Sequence, residues 1–505
     1  MAPVPQVRIR AMNALPVREE GKYVLLWMTA ARRTRRSFAL DRALEHARAL
    51  DRPLLVLEAL RCGYRWASDR LHRFVLEGMA DNAARCAAVG VVYHPYAEPR
   101  AGAGKGLLAA LSRDACVVVG DDWPCFFLPR MLAAAARQVP VLLEAVDGNG
   151  LVPVRSTPQA FSTAHAFRRW LQRHLPDHIA RVPAADPLAR ARLPDGVPVP
   201  RAIARRWPRA SARLLAGDAE ALGALPIDHA VEPVPYRGGP TAGGRALRAF
   251  VRRRLPQYAE RRNEPDAQAS SGLSPWLHFG HVAAHDVVLS VLASEGLDAD
   301  DLAPGGDGSR EGWWGASASA EAFLDQVVTW RELGHNLCVH RPDDYDAFDS
   351  LPAWALRSLE EHARDPRPHR YRPKDLEEAR THDPLWNAAQ TQLRREGRIH
   401  NYLRMLWAKK VLEWTGSPRE AARVLVRLND RYAVDGRDPN SYAGIYWALG
   451  RYDRPWAPRR PVFGTVRYMS SERTRRKLPV REYLERFGPA SGEGQTGFAS
   501  SPSVG

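Results

Sequence analysis

Along the first 150 residues, short uninterrupted apolar runs alternate with stretches of helical period. The runs at 23–28, 53–60, 91–96, 116–122 and 140–146 read as strands with no polar face. Between them the segment 70–89 puts Leu71, Phe74, Leu76, Met79 and Ala83 on one side of a helix. Continuous apolar strands separated by helices predict a parallel sheet covered on both faces, five-stranded and Rossmann-like. From 183 to 240 the pattern dissolves into Pro, Ala and Arg without a period, which reads as a long linker. From 245 to 487 no strand pattern occurs, and helices are expected over 320–339, 376–380, 383–396, 399–414 and 418–432. The expected organisation is α/β plus all-α: an α/β domain over 1–182, a linker over 183–240 and a helical domain over 241–487. A Gly/Ser-rich tail over 488–505 is expected to be disordered.

Length and composition narrow this picture. The chain has 505 residues, 45% hydrophobic and 26% charged, which excludes a wholly disordered or fibrous protein. Its five cysteines are scattered without a C-x-x-C pair, which points to a reducing compartment and away from a disulfide scaffold. No signal-peptide core and no spanning apolar stretch is found, so a soluble, cytoplasmic, monomeric protein without a membrane partner is expected. Lys plus Arg number 73 against 57 acids, a net charge of +16. Such a surplus implies a polyanionic partner or a genomic bias towards arginine; the run at 32–36 reads partly as bias.

Four features are candidates for chemistry. Gly102-Ala103-Gly104-Lys105-Gly106 resembles a phosphate loop, but glycine follows the lysine where a hydroxyl is needed, so it reads as a plain loop. His278, His281 and His285 share one helical face; no acidic or thiol ligand completes a metal set, and a structural or cofactor-proximal role is favoured. The segment 451–480 carries nine basic residues against two acids and interleaves Arg451, Arg454, Arg459, Arg460 and Arg467 with Tyr452, Trp456, Phe463 and Tyr468. That mixture suits phosphates and unstacked bases, or equally a solvated face with aromatic residues beneath. Trp407 and Trp414 lie seven residues apart, two turns of one helix, a spacing that fits core and also electron transfer.

The helical half resembles the class II branch of the photolyase/cryptochrome family, the cyclobutane pyrimidine dimer photolyases. The motifs that carry the resemblance are THDPLWNAAQ at 381–390, YLRMLWAKKVLEW at 402–414, LNDRY at 428–432 and DGRDPN at 435–440. LSPWLHFG at 273–280 and PVFGTVRYM at 461–469 look like the same branch, and the domain order matches over nearly the whole chain.

The resemblance implies FAD in the helical domain. Tyr258 and Arg262 match the positions that meet the flavin phosphates, and Ser270, Ser271, Gly272, Leu273 and Ser274 match the diphosphate loop. Small residues there let backbone N–H groups approach an anion. Arg331 and Asp438 are expected beside the cofactor. Arg404 and Asp435 match an ion pair over the isoalloxazine, and Asn429 matches the residue facing flavin N5, where an amide can bond either redox state. Trp386, Trp407 and Trp414 stand where the branch carries its photoreduction relay.

For the lesion pocket, Trp330, Met405, Trp447, Arg454 and Trp456 fit the walls that clamp a flipped dimer in double-stranded DNA. Three departures surround that pocket. Gln326 replaces the branch's glutamate, Asn401 replaces a glycine, and the segment 448–453 is one residue shorter and lacks a Val-His pair. Near the first strand, 30–37 replaces a more acidic segment; an antenna chromophore of the deazaflavin or folate type is a possible occupant of this domain, and the sequence decides neither its presence nor its identity. Two functions follow from the resemblance: light-driven repair of pyrimidine dimers, or a cryptochrome-like photoreceptor that keeps the flavin and relay. No metal is implied.

Overall fold

The computed structural model describes residues 3–302 and 305–488. The strands are β1 (Ile9–Ala11), β2 (Tyr23–Met28), β3 (Leu54–Leu60), β4 (Val92–Ala97), β5 (Ala115–Asp121) and β6 (Leu143–Val146). They form one six-stranded sheet in the order β1-β6-β5-β2-β3-β4. The five expected strands pair in parallel, as their apolar runs require. The sixth, β1, corrects the count: it runs antiparallel to β6 at the sheet edge. Three partly exposed residues there carry no apolar run to read.

Both faces of the sheet are covered, and β2 shows how. Val24, Leu26 and Met28 pack with Phe38, Leu40 and Leu44 of the helix Phe38–Ala49. Tyr23, Leu25 and Trp27 point the other way, onto Leu107, Leu111 and Leu132. Every residue of this strand is buried, as expected when side chains alternate between two covered faces. The helix Phe38–Ala49 starts where Ser37 accepts the Leu40 N–H, a capping bond that ends the preceding loop.

All six strands lie before residue 147, and the remainder of the described chain holds helices and loops, with isolated bridges only at Asp228 and between Arg460 and Gly464. The helices expected over 383–396, 399–414 and 418–432 appear as Pro384–Glu396, Asn401–Trp414 and Pro418–Tyr432, whereas the one expected over 376–380 lies earlier, at Pro373–Glu377, with its last residues in a turn. The segment 183–240 is less featureless than its composition suggests, holding the short helices Arg201–Arg206, Ala212–Leu215 and Ala219–Gly223. The expected helix at 320–339 is continuous but irregular: Ala318–Leu324 and Arg331–His340 flank Asp325–Trp330, which winds as a π-helix. Apart from Gly488, the tail over 488–505 lies outside the described residues.

Buried arginines organise the seam between the two halves. Arg32 anchors its loop to the sheet by pairing with Glu58 at 2.9 Å, and Arg33 donates across the seam to the Gly280 carbonyl at 2.8 Å. Arg36 reaches Asp286 at 3.2 Å. The 32–36 run is therefore structural at these three positions, and the reading of it as compositional bias fails there. Gly280 permits the close approach: with φ +65, a Cβ at this position would lie 2.0 Å from the Ala30 carbonyl oxygen. Arg70, 1% exposed, spends its guanidinium on the carbonyls of Glu232, Leu393, Arg394 and Tyr432.

Candidate functional site: a buried polar cradle, a tryptophan stack and a basic aromatic face

The helix Pro418–Tyr432 ends in a tight loop whose residues serve several neighbours. Asn429 is buried, and its amide donates to the Gly436 carbonyl at 2.8 Å. Arg437 ties the loop back to the helix end through the Val434 carbonyl at 2.9 Å. Asp438 caps the helix Pro439–Trp447 by accepting the Asn440 N–H at 2.9 Å. It also meets His278 Nδ1 at 3.2 Å, joining this loop to the helix Ser274–His278. Burial pushes the Asp438 carboxyl up, but the hydrogen bond and charge of His278 outweigh it and hold the group at about 2.

Asp435, between Asn429 and Asp438 in the chain, keeps one carboxylate oxygen buried and without a hydrogen bond. Arg404 Nη2 approaches that oxygen to 3.7 Å, too long for a hydrogen bond and close enough for an ion pair. His400, one residue before the helix that carries Arg404, is also buried with neither ring nitrogen partnered, and burial lowers it to about 4. Buried polar groups normally find partners, so these unused atoms mark a place for a polar ligand.

The expected phosphate side lies on neighbouring elements. Tyr258 is buried, with the Arg262 guanidinium 5.6 Å from its ring centre. Arg254 donates to the carbonyls of Ser270 and Ser271, orienting the loop that ends at Ser274. Gly272 adopts φ +67, and Ser271 Oγ accepts the Leu273 N–H at 3.4 Å. Arg331 turns elsewhere: it is buried and donates to the Asn149 carbonyl at 2.8 Å. Taken together, a free carboxylate oxygen, an arginine poised over it, an unpaired imidazole and a glycine-turned serine loop fit a group with a diphosphate and a polar ring edge.

The three tryptophans form a stack whose spatial order differs from their chain order. Trp386 and Trp407 lie 6.4 Å apart and nearly parallel, at 7°. Trp386 and Trp414 lie 5.5 Å apart at 69°, so Trp386 is the middle member. The Asp383 side chain fixes its entry into the helix by accepting the N–H groups of Leu385 and Trp386. Trp386 Nε1 donates to the Trp407 carbonyl at 3.0 Å, and Trp407 Nε1 donates to Gln390 Oε1 at 2.9 Å. All three are at most 2% exposed, so neither end of the stack, Trp407 or Trp414, reaches the surface itself.

A second tryptophan group is built on cations. The Arg454 guanidinium lies 4.7 Å from the Trp456 ring centre and that of Arg467 lies 4.8 Å from it. Arg467 also stands 5.8 Å from Trp447, which has Lys409 Nζ at 5.6 Å. Asp453 accepts from Trp456 Nε1 at 3.0 Å. Trp330 donates to Asp325 at 3.2 Å and meets Tyr452 edge-on at 6.5 Å. Gln326 is half-buried in the π-helical turn, Met405 is half-buried, and Asn401 is exposed at the start of its helix.

Sequence reasoning misses Lys409 and Asp325 at this site. Lys409 is fully buried, donates to the Ala448 carbonyl and is lowered by burial to about 7. A lysine within an apolar helix is the only sequence signal for it.

The three histidines do not converge. His278 holds Asp438, His281 accepts the Gly239 N–H at 2.9 Å, and His285 packs edge-on against Phe38. Among the described residues no group of His, Cys, Asp or Glu is arranged to hold a metal ion. The glycine-lysine loop lines a cavity of about 380 Å³ together with Arg32, Tyr64, Phe126 and Arg437.

Over 484 residues the chain is 33% identical to the deoxyribodipyrimidine photo-lyase of Methanothermobacter thermautotrophicus, covering 95% of this chain and 98% of that protein. It belongs to the deoxyribodipyrimidine photolyase family. A photolyase of Potorous tridactylus is 32% identical, covering 94% of this chain and 83% of its own length. Among solved structures, a bacterial class III photolyase from Agrobacterium tumefaciens superposes with a TM-score of 0.64 at 18% identity, over 92% of this chain and 86% of that one. That likeness carries the photolyase fold, an α/β sheet followed by helices. No family model matches the chain. Photolyases are enzymes, and the departures at Gln326 and Asn401 stand within a chain that aligns with a photolyase nearly end to end.

Proposed function

We propose that this protein is a light-driven DNA-repair enzyme of the class II type, which splits cyclobutane pyrimidine dimers in DNA using FAD. The observation that carries the reading is the coincidence of the Arg404–Asp435–Asn429 cradle with the stacked tryptophans, of which Trp407 and Trp414 share the helix of Arg404 and Trp386 lies on Pro384–Glu396. Tyr258, Arg262 and Ser270–Ser274 hold the diphosphate, and Asn429 and Asp435 face the ring system. Bound and reduced there, FAD supplies the excited electron that opens the dimer ring.

The chain's own residues do the rest. Trp407, Trp386 and Trp414 carry electrons inward to restore the reduced cofactor. Trp330, Met405, Trp447 and Trp456 wall the pocket for a flipped dimer, while Arg454 meets the phosphates around it. Gln326 hydrogen-bonds a pyrimidine carbonyl without adding charge. Asn401, exposed at its helix start, touches the same strand.

The cavity beside β2 and β3 supports an antenna chromophore. It opens beyond the carboxyl ends of parallel strands, the usual ligand position in such sheets, and combines aromatic walls with Arg32, Lys105 and Arg437. A planar ring with an anionic arm, of the deazaflavin or folate type, fits that lining. Arg437 belongs to the same loop as Asp435, which brings the cavity next to the flavin cradle.

Illumination of the photoreduced protein with a dimer-containing oligonucleotide is expected to restore pyrimidine absorbance. Photoreduction without that recovery would favour the photoreceptor reading, for which the uncharged Gln326 is the specific observation.

A further inference from the structure

We infer that Tyr371 and His382 form the outer end of the electron path, with Tyr371 giving an electron to oxidised Trp414 and its phenolic proton to His382. This rests on the tryptophan relay proposed above and extends it to the surface.

Trp407 lies one turn from Arg404 on their shared helix and Trp414 ends that helix, so Trp414 is the end of the stack away from Arg404. It is only 2% exposed, so a reductant in solution cannot touch it. Tyr371 covers it: the two rings lie 5.4 Å apart at 73°, and the Tyr371 N–H donates to the Trp414 carbonyl at 3.2 Å. The Tyr371 hydroxyl lies 2.6 Å from His382 Nδ1, and its oxygen accepts the His382 backbone N–H at 3.0 Å. With the His382 ring proton on Nε2, Nδ1 is the acceptor of the phenolic O–H. His382 also sits 5.3 Å from Trp414 and stacks on the exposed His369 at 3.8 Å. From Trp386 outward, the aromatic residues therefore pass from buried Trp414 to half-buried Tyr371 to an exposed imidazole pair.

Charge placement favours the outward step. Lys410 Nζ stands 5.5 Å from the Trp414 ring centre, with Glu413 at 2.7 Å from the same ammonium. A cation over an indole face is attracted to the neutral ring and repelled by the ring's radical cation. Trp386 and Trp407 have a backbone carbonyl and an amide oxygen as partners instead. A positive hole arriving at Trp414 is thus driven on.

Trp414, short of one electron, takes one from Tyr371 and returns to the neutral indole. The Tyr371 O–H bond breaks, an N–H bond forms at His382 Nδ1, and Tyr371 remains as a neutral oxyl radical. A soluble one-electron donor of the thiol type then reduces it as the proton returns. His382 must be neutral to accept; burial and the neighbouring His369 both lower its affinity for protons, Lys410 adds to this, and Asp383 and Glu413 oppose it.

Flash excitation of the FAD-loaded protein, followed by transient absorption and electron paramagnetic resonance, tests the idea. A tryptophan radical giving way to a neutral tyrosyl signal is expected, more slowly in D2O. Tyr371→Phe should abolish the tyrosyl signal and lower the steady photoreduction yield several-fold, because Trp414 then recombines. His382→Phe should slow tyrosyl formation and remove most of the solvent isotope effect. A tryptophan radical without a tyrosyl successor, or a tyrosyl signal that survives Tyr371→Phe, overturns this inference alone. The absence of any tryptophan radical overturns the relay and this inference with it.

Discussion

The molecule uses tryptophan in two regions that are built in opposite ways. Trp386 and Trp407 are sealed in the core and touch neutral hydrogen-bond acceptors. Trp447 and Trp456 are half-exposed and sandwiched by Lys409, Arg454 and Arg467. A neutral, acceptor-rich surround tolerates a transient positive charge on the indole. A cationic surround resists it and instead draws in polyanions. For these four rings the residue type assigns neither role and the charge of the neighbours separates them, while Trp414, beside the paired Lys410 and Glu413, stands between the two kinds.

The sharpest way to break the comparison is to remove the middle of the buried stack. Trp386→Phe keeps an apolar ring but lengthens both gaps, so blue-light photoreduction, followed by flavin absorbance, should fall to background. Trp386→Ala would confuse the result, since truncating a buried tryptophan costs about 3–5 kcal/mol of stability. A phenylalanine at Trp456 should leave photoreduction unchanged.

The cationic region should respond to salt instead of light. Arg454→Ala with Arg467→Ala should weaken binding to dimer-containing duplex, and each phosphate left unneutralised should reduce the slope of log affinity against log salt by about 1. A fluorescence anisotropy titration at several salt concentrations reads it. An unchanged slope would return these arginines to a solvated face.

Lys409 sharpens the comparison through pH. Its folded value is about 7 against the ordinary 10.5, so the unfolded chain binds the proton more tightly between those values. Stability therefore falls as pH drops through this window, and the destabilisation from this one group is complete below about 7. Lys409→Met should melt higher than the parent near neutral pH, with the advantage shrinking as pH approaches 10.5. Thermal melts across that range check the sign. The smallest effect is expected from Gln326→Glu, a modest gain in repair yield with no change in photoreduction; a fall in yield would mean the amide is the better partner.

Much of the architecture was legible because its physics is local. Tyr23–Met28 announces itself by lacking any polar face, and Asn401–Trp414 by its motif and length. Ile9–Ala11 escaped because an edge strand of three residues has neither run nor alternation. The structural roles of Arg32 and Arg33 were illegible, since the same letters occur on solvated faces; only Glu58 and Gly280, distant in sequence, reveal them. The residues of the proposed cradle came from motifs, whereas Trp386 as the middle member depends on how two helices cross. The burial of Trp414, and with it the position of Tyr371, required the fold.

Arg70 has a further consequence. Its one guanidinium, on a helix that flanks the sheet, gathers carbonyls from the last turns of Pro384–Glu396 and Pro418–Tyr432, where both helix dipoles end negative. Separating the halves would strand a cation and several carbonyls without partners at once. The α/β and helical parts are consequently mechanical dependents rather than beads on a string, and calorimetry should record a single cooperative transition that Arg70→Met divides into two.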